Sequence, residues 1–209
     1  MKRTVIYHQT SAEYLKSRLI DFFIQQFNNI FIGNEVMYGI KRKVVDLLII
    51  KNNQLIAIEI KGDNDDLRKL QEQINECKKI FDYIIICTTK THLEKLNQII
   101  SDDIGIYLIT ENSIKKIKTP QKQNKQSKID ILYTMNSKYL KTELNINKKL
   151  NSDEIRELVA KKNMNYIHKL LCQYFSLRIK EKYQLFLSDR GIITHIDDIP
   201  ILSSNIEIQ

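Results

Sequence analysis

Two apolar runs joined by an Asn-Asn pair, Val44 to Gly62 (VVDLLIIKNNQLIAIEIKG), constrain this chain more than any other stretch. Asparagine tolerates the positive φ of a tight turn, so the pattern predicts a β-hairpin with Asn52 and Asn53 at its tip. In that register Lys51 faces Gln54, and counting back sets Asp46 opposite Glu59. Strand alternation puts Lys61 on the face of Glu59, two residues along. The rest of the ribbon is apolar, with Val45, Leu47, Ile49, Ile56, Ile58 and Ile60 on one face and Leu48, Ile50, Leu55 and Ala57 on the other. Two carboxylates facing each other in such a ribbon repel and lose hydration. A divalent cation is the obvious compensation. The expectation is a metal site with a lysine beside it.

The surrounding chain predicts a helix-flanked sheet. Thr10 to Asn28 has helical apolar spacing (Tyr14, Leu15, Leu19, Phe22, Phe23, Phe27), and Thr10 with Glu13 matches a capping box. A strand is expected over Asn34–Ile40, then the hairpin. Asp63 to Asp66 supply an N-cap and acidic first turn for a second helix with Leu67, Leu70, Ile74, Cys77 and Phe81 as its buried stripe. A strand over Asp82–Cys87, a helix from Thr91 to Ile100 and a strand over Gly105–Thr110 complete an α-β-β-β-α-β-α-β order. Asn112 to Lys128 carries six lysines and one proline, and reads as a linker or mobile basic strand. Helices follow over Ile129–Leu144, Asp153–Asn163 (capped by Ser152) and Asn165–Phe186, and the residues from Ser188 read as a loosely attached tail. The division expected is a nuclease-like domain over 1–118, a basic linker over 119–128 and a helical C-terminal region over 129–209.

At 209 residues, 43% hydrophobic and 28% charged, the chain can bury one α/β core with a smaller appendage. No apolar run is long enough to span a bilayer, and the opening MKRTVIYHQT lacks a signal-peptide core, so a cytoplasmic protein with no membrane role is expected. Cys77, Cys87 and Cys172 form no CxxC pair, and His8, His92, His168 and His195 show no ligand spacing. The net charge of +8 suits a polyanion, though a composition rich in Lys, Ile and Asn weakens that argument. No P-loop, glycine-rich nucleotide fingerprint, HxH or HExxH motif is present, which disfavours an NTPase, a dehydrogenase or a zinc hydrolase.

Asp46 followed by Glu59-Ile60-Lys61 across a hairpin, after one helix and one strand, resembles the PD-(D/E)XK nuclease superfamily; Val45 stands where the motif has proline. IEIKGDNDDLRKLQEQINECKKIFDYIIICTT resembles a poorly characterised family of small bacterial and phage nuclease-like proteins, as does ILYTMNSKYLKTEL further on. Arg42 and Gln73 match a basic residue and a helix glutamine of that family, whereas Cys77 replaces an aromatic. The resemblance implies a restriction-endonuclease-like mixed sheet flanked by helices, with an α-β-β-β-α-β core and a small helical C-terminal region. It implies an endo- or exonuclease acting on nucleic acid, with DNA expected ahead of RNA. Asp46, Glu59 and the Ile60 carbonyl would hold Mg²⁺, with Mn²⁺ able to substitute, and Lys61 would position or activate the attacking water. Gln73 would join the catalytic set, and Glu13 or Glu35 would supply a further metal ligand. Arg42, Lys69, Lys115, Lys116 and Lys118 would contact the phosphate backbone. Double-strand cleavage would need a homodimer or two events.

Each reading has a plainer rival. Lys61 could bridge two sheet carboxylates as a structural ion pair, a poor source of stability. Glu13 could serve only its cap, Glu35 could be an exposed strand end, and Gln73 a solvated helix position. The lysine run could be a solvated linker. The whole fold could be a non-catalytic module binding nucleic acid or protein, or a phage or defence accessory needing a partner.

Overall fold

The computed structural model describes residues 10–203. The expectations for the N-terminal segment, including His8, lie outside the described residues. Helix α1 (Ala12–Gln26) buries Leu15, Leu19, Ile20 and Phe23 along one face. Its cap is Ser11, whose hydroxyl accepts from the Tyr14 N–H, so the capping box expected from Thr10 and Glu13 does not form. Strand β1 (Ile30–Tyr38) starts four residues earlier than the alternation suggested, because Ile30 and Ile32 are also buried. Then come β2 (Lys43–Lys51), β3 (Gln54–Lys61), α2 (Leu70–Lys78), β4 (Tyr83–Thr88), α3 (Lys90–Ile99), β5 (Gly105–Ile109) and β6 (Ile114–Lys118).

The six strands form one mixed sheet in sequence order. β1, β2 and β3 pair antiparallel, β3, β4 and β5 pair parallel, and β6 returns antiparallel on β5. The two parallel connections need crossovers, which α2 and α3 supply. The fold is therefore the helix-flanked mixed α/β sheet with an α-β-β-β-α-β core and a helical C-terminal region. Leu67, Leu70, Ile74, Cys77 and Phe81 are all buried as expected. The acidic residues before α2 do not begin it, however. The helix starts at Leu70, while Asp65 accepts from the Gly62 N–H and Asp63 from the Thr89 hydroxyl. Short acidic side chains satisfy nearby donors in a loop as readily as they cap a helix. Thr89, not Thr91, occupies the cap position of α3.

The basic stretch after β5 is ordered structure. Its first part is the edge strand β6, and the part after Lys118 is a strap pinned by backbone bonds from Gln121 to Asp103, Gln123 to Asp82 and Ser127 to Lys79. The helix expected over Ile129–Leu144 is two, α4 (Lys128–Thr134) and α5 (Ser137–Glu143), broken where Asn136 caps the second. α6 (Ser152–Ala160) is capped by Asn151 in a capping box with Glu154, not by Ser152. α7 (Met164–Asp189) crosses β1 and β2, and Gly33 admits it: a Cβ there would lie 2.7 Å from Ile179 Cδ1. The chain beyond α7 is not loosely attached through residue 203. A 3₁₀ helix (Ile196–Leu202) buries Ile199 and Leu202, and Ser203 bridges to Asn34 of β1. One hydrophobic core runs through sheet and C-terminal helices alike. No helix among the described residues is long and apolar enough to cross a membrane.

Candidate functional site

The hairpin forms in the register read from its turn. Asn52 and Asn53 take φ of +50° and +57°, as a two-residue turn requires, and Lys51 faces Gln54. The β2–β3 pairing runs to Leu47 opposite Ile58, so Asp46 and Glu59 are the next residues on, where the ladder ends. In place of a ladder bond, the Ile60 N–H donates to Asp46 Oδ2 at 2.7 Å. The β1–β2 pairing is interrupted at the same level. Asn34 pairs with Leu47 and Val36 with Val45, while Glu35 between them has a left-handed φ of +51°. Glu35, Asp46 and Glu59 thus occupy one row across three neighbouring strands.

Glu59 is the buried centre of this row, its side chain 1% exposed. Its Oε2 accepts from Gln73 Nε2 at 3.0 Å, and Gln73 Oε1 accepts from Lys61 Nζ at 3.1 Å. Lys61 Nζ stands 3.9 Å from Glu59 Oε2. Glu59 Oε1 is buried with no hydrogen-bond partner, a costly state for a carboxylate oxygen. Burial, and then the neighbouring Asp46, push the Glu59 carboxyl up to about 8, against the pull of Lys61 and Lys16. Burial also raises Asp46, opposed by the Ile60 N–H, Lys16 and Lys61. Two acids that resist ionising side by side form a site that a cation would relieve.

Of the residues expected at the site, Asp46, Glu59, Lys61 and Gln73 are brought together, with Ile60 between them. Glu35 is half outside, its side chain 57% exposed and 3.7 Å from Lys16 Nζ. Glu13 is exposed in the first turn of α1. Neither completes a cage: no three His, Cys, Asp or Glu side chains converge as metal ligands among the described residues. Two carboxylates and a backbone carbonyl remain, which fits Mg²⁺, an ion that keeps waters and borrows ligands from substrate phosphate. Lys69 is exposed at the start of α2, and Arg42 is exposed in the β1–β2 turn. Lys115, Lys116 and Lys118 lie on β6, three strands from β3 or roughly 14 Å across the sheet. Lys118 pairs there with Asp102 at 2.9 Å. Lys115 lines a cleft of about 630 Å³ together with Tyr14, Arg18, Asp63 and Lys90.

Sequence reasoning missed Lys16. It lies on the buried face of α1, donates to Asn34 Oδ1 at 2.9 Å, and acts electrostatically on both Asp46 and Glu59. Asn34 in turn donates to the Ser203 hydroxyl at 2.8 Å. A lysine among Leu15, Leu19 and Ile20 on an apolar helix face was the available signal. A second polar centre was also missed. Asp82 Oδ2 accepts from the Leu55 N–H and from His168 Nε2, both at 2.8 Å, and Cys172 Sγ lies 3.7 Å from His168 Nδ1. Despite its Cys-His-Asp composition this group is not arranged for nucleophilic attack. Burial pushes the Cys172 thiol up to about 12, and the thiol donates to the Asn53 carbonyl.

No curated protein matches the chain. A solved structure described as the SPO1766 protein of unknown function from Silicibacter pomeroyi shares 11% identity, with 90% of this chain and 99% of that one covered and a TM-score of 0.51. That likeness speaks for the fold alone. The family model described as Bacteriophage P4 protein cII matches residues 7–203. That match spans nearly the full length, sheet and C-terminal helices together, and the chain belongs to the family of Bacteriophage P4 protein cII.

Proposed function

We propose that the protein is a metal-dependent nuclease of the PD-(D/E)XK kind, hydrolysing phosphodiester bonds in nucleic acid, with DNA ahead of RNA. The observation that carries this reading is the buried Glu59 beside the half-buried Asp46 at the end of a hairpin ladder, with Glu59 Oε1 unpartnered and Lys61 within 3.9 Å. Asp46, Glu59 and the Ile60 carbonyl would hold Mg²⁺. The ion, when bound, would neutralise charge on the phosphate oxygens and acidify water.

The protein's own groups do the rest. Lys61 is held by Gln73 and is therefore aimed, so its ammonium can orient water or stabilise a non-bridging phosphate oxygen. Gln73 bridges Lys61 and Glu59 and sets the angle between them. In the reaction water adds to phosphorus, the bond to one sugar oxygen breaks, and the water proton ends on the solvent side while the leaving oxygen takes another. The products are a phosphate monoester and a hydroxyl.

The test is cleavage of plasmid, single-stranded DNA and RNA by the full chain with Mg²⁺ or Mn²⁺, beside Asp46→Ala, Glu59→Ala and Lys61→Ala. Metal-dependent cutting lost in all three variants would support the reading. Cutting that survives in them would remove these residues from the site. A folded protein that cuts nothing but binds DNA would favour a non-catalytic module.

A further inference from the structure

Arginine is the scarce cation of this chain, with seven residues against 26 lysines. Three of the seven, Arg42, Arg156 and Arg178, line one cavity of about 350 Å³. It opens between the β1–β2 turn, the α4–α5 corner and α7, and no aspartate or glutamate is among the described residues lining it. Each arginine comes from a different element. Arg42 sits in the turn at φ +50°, a left-handed backbone that asparagine or glycine adopts at less cost. Arg156 of α6 donates to the Leu132 and Ser152 carbonyls, stands 3.6 Å from the exposed Asp153 carboxylate at the cavity's margin, and its guanidinium lies 4.3 Å from the centre of the Tyr133 ring. Arg178 of α7 donates to the Tyr174 hydroxyl at 2.7 Å and lies 5.3 Å from that ring's centre.

Carbonyls and aromatic rings thus hold two of the three guanidinium groups in set orientations. A planar, oriented guanidinium matches the paired oxygens of a phosphate, which a lysine ammonium meets only as a point charge. Tyrosine rings beside it offer a surface for a sugar or base. Arg42, in the turn just before β2, precedes Asp46 by four residues, a reach of at most about 13 Å. We propose that this cavity binds a phosphate group carried by a nucleotide or a nucleic-acid strand, with Arg42, Arg156 and Arg178 as its cations. The connection to cleavage at Asp46 and Glu59 rests on the nuclease reading, and the cavity's own affinity does not.

The experiment is fluorescence anisotropy of the full chain in EDTA, where binding is read without cutting. The probes are a labelled single strand with a 5′-phosphate, the same strand with a 5′-hydroxyl, and a nucleoside 5′-monophosphate as competitor. Arg42→Gln, Arg156→Gln and Arg178→Gln should each weaken binding of the phosphorylated strand about tenfold or more. Arg→Lys variants should recover only part of that, and Lys149→Gln, outside the cavity, should change it less than about twofold. Arg42 is exposed in a turn, so its variant keeps the test valid if Arg156→Gln unfolds. Preference for the 5′-phosphate identifies a strand end, whereas equal, arginine-dependent binding of both strands identifies a backbone phosphate; either supports the cavity. Affinity unchanged in all three glutamine variants, or no binding of any probe, overturns it. Arginine-dependent binding by a protein that never cuts would sink the nuclease reading and leave the cavity standing.

Discussion

Asp82, just before β4, and Glu59 of β3 are both acids buried to 1% exposure, and they are treated in opposite ways. Asp82 is surrounded by donors: the Leu55 N–H and His168 on one oxygen, and Gln126 Nε2 at 3.3 Å on the other. Its backbone also pairs with Leu55 and with Gln123 of the strap. It ties β3, the strap and α7 into one body. Glu59 has one donor, one empty oxygen and a second acid beside it. A satisfied buried acid stabilises a fold, whereas an unsatisfied one is kept at a cost to stability. The contrast marks Asp82 as a clamp and Glu59 as the candidate site.

The comparison can be broken most sharply by activity. Asp46→Asn or Lys61→Met should lower metal-dependent cleavage at least about a hundredfold with little loss of stability, read from initial rates beside urea unfolding. Should Asp82→Ala do the same to the rate while leaving unfolding unchanged, the assignment of the two centres would be reversed. The expected result for Asp82→Ala is a loss of roughly 2–4 kcal/mol in urea unfolding, because His168, Leu55 and Gln126 lose a common acceptor.

Next in size is a pH effect. Glu59 holds its proton in the fold where the unfolded chain, near 4.5, has lost it. Without metal, stability should therefore be fullest below that range and fall as pH rises towards about 8. Glu59→Gln should flatten this slope in thermal melts taken across the interval. Because a cation and a proton compete for the same carboxylates, Mg²⁺-dependent cutting should rise with pH over the same window. The smallest effect is expected from Lys16→Met. It removes a charge that favours ionised Asp46 and Glu59, so the pH–rate profile should shift to higher pH. A rate that falls evenly at all pH values would make Lys16 merely structural.

The hairpin was legible because every signal for it is local. The Asn52–Asn53 turn, alternation along β2 and β3, and the position of Lys61 all follow from neighbours in the chain. Gln73 was legible as a candidate, since it lies on the helix that follows β3, though only packing aims it at both Glu59 and Lys61. Helix ends were read less well. Thr10 and Ser152 each had the chemistry of a cap, but Ser11 and Asn151 took the role, because several short polar residues stood within reach of the same N–H groups. Asp63 accepts from Thr89 instead, and the cap positions of α2 and α3, Lys69 and Thr89, make no side-chain cap bond. The lysines of β6 left linker and strand equally open, since an exposed edge strand accommodates them on its outer side.

By itself the sequence determined the mixed α/β order, the hairpin register and the facing of Asp46 and Glu59, because these depend on spacing within a few residues. Only the tertiary structure decided that Lys16 acts electrostatically on the acids, that Asp82 is clamped by His168, and that Arg42, Arg156 and Arg178 share a cavity. Those partners stand tens to more than a hundred positions apart. Which of many lysines or arginines meet is set by how α1 and α7 pack on the sheet and α6 on α4 and α5, and that packing is chosen by the whole core at once.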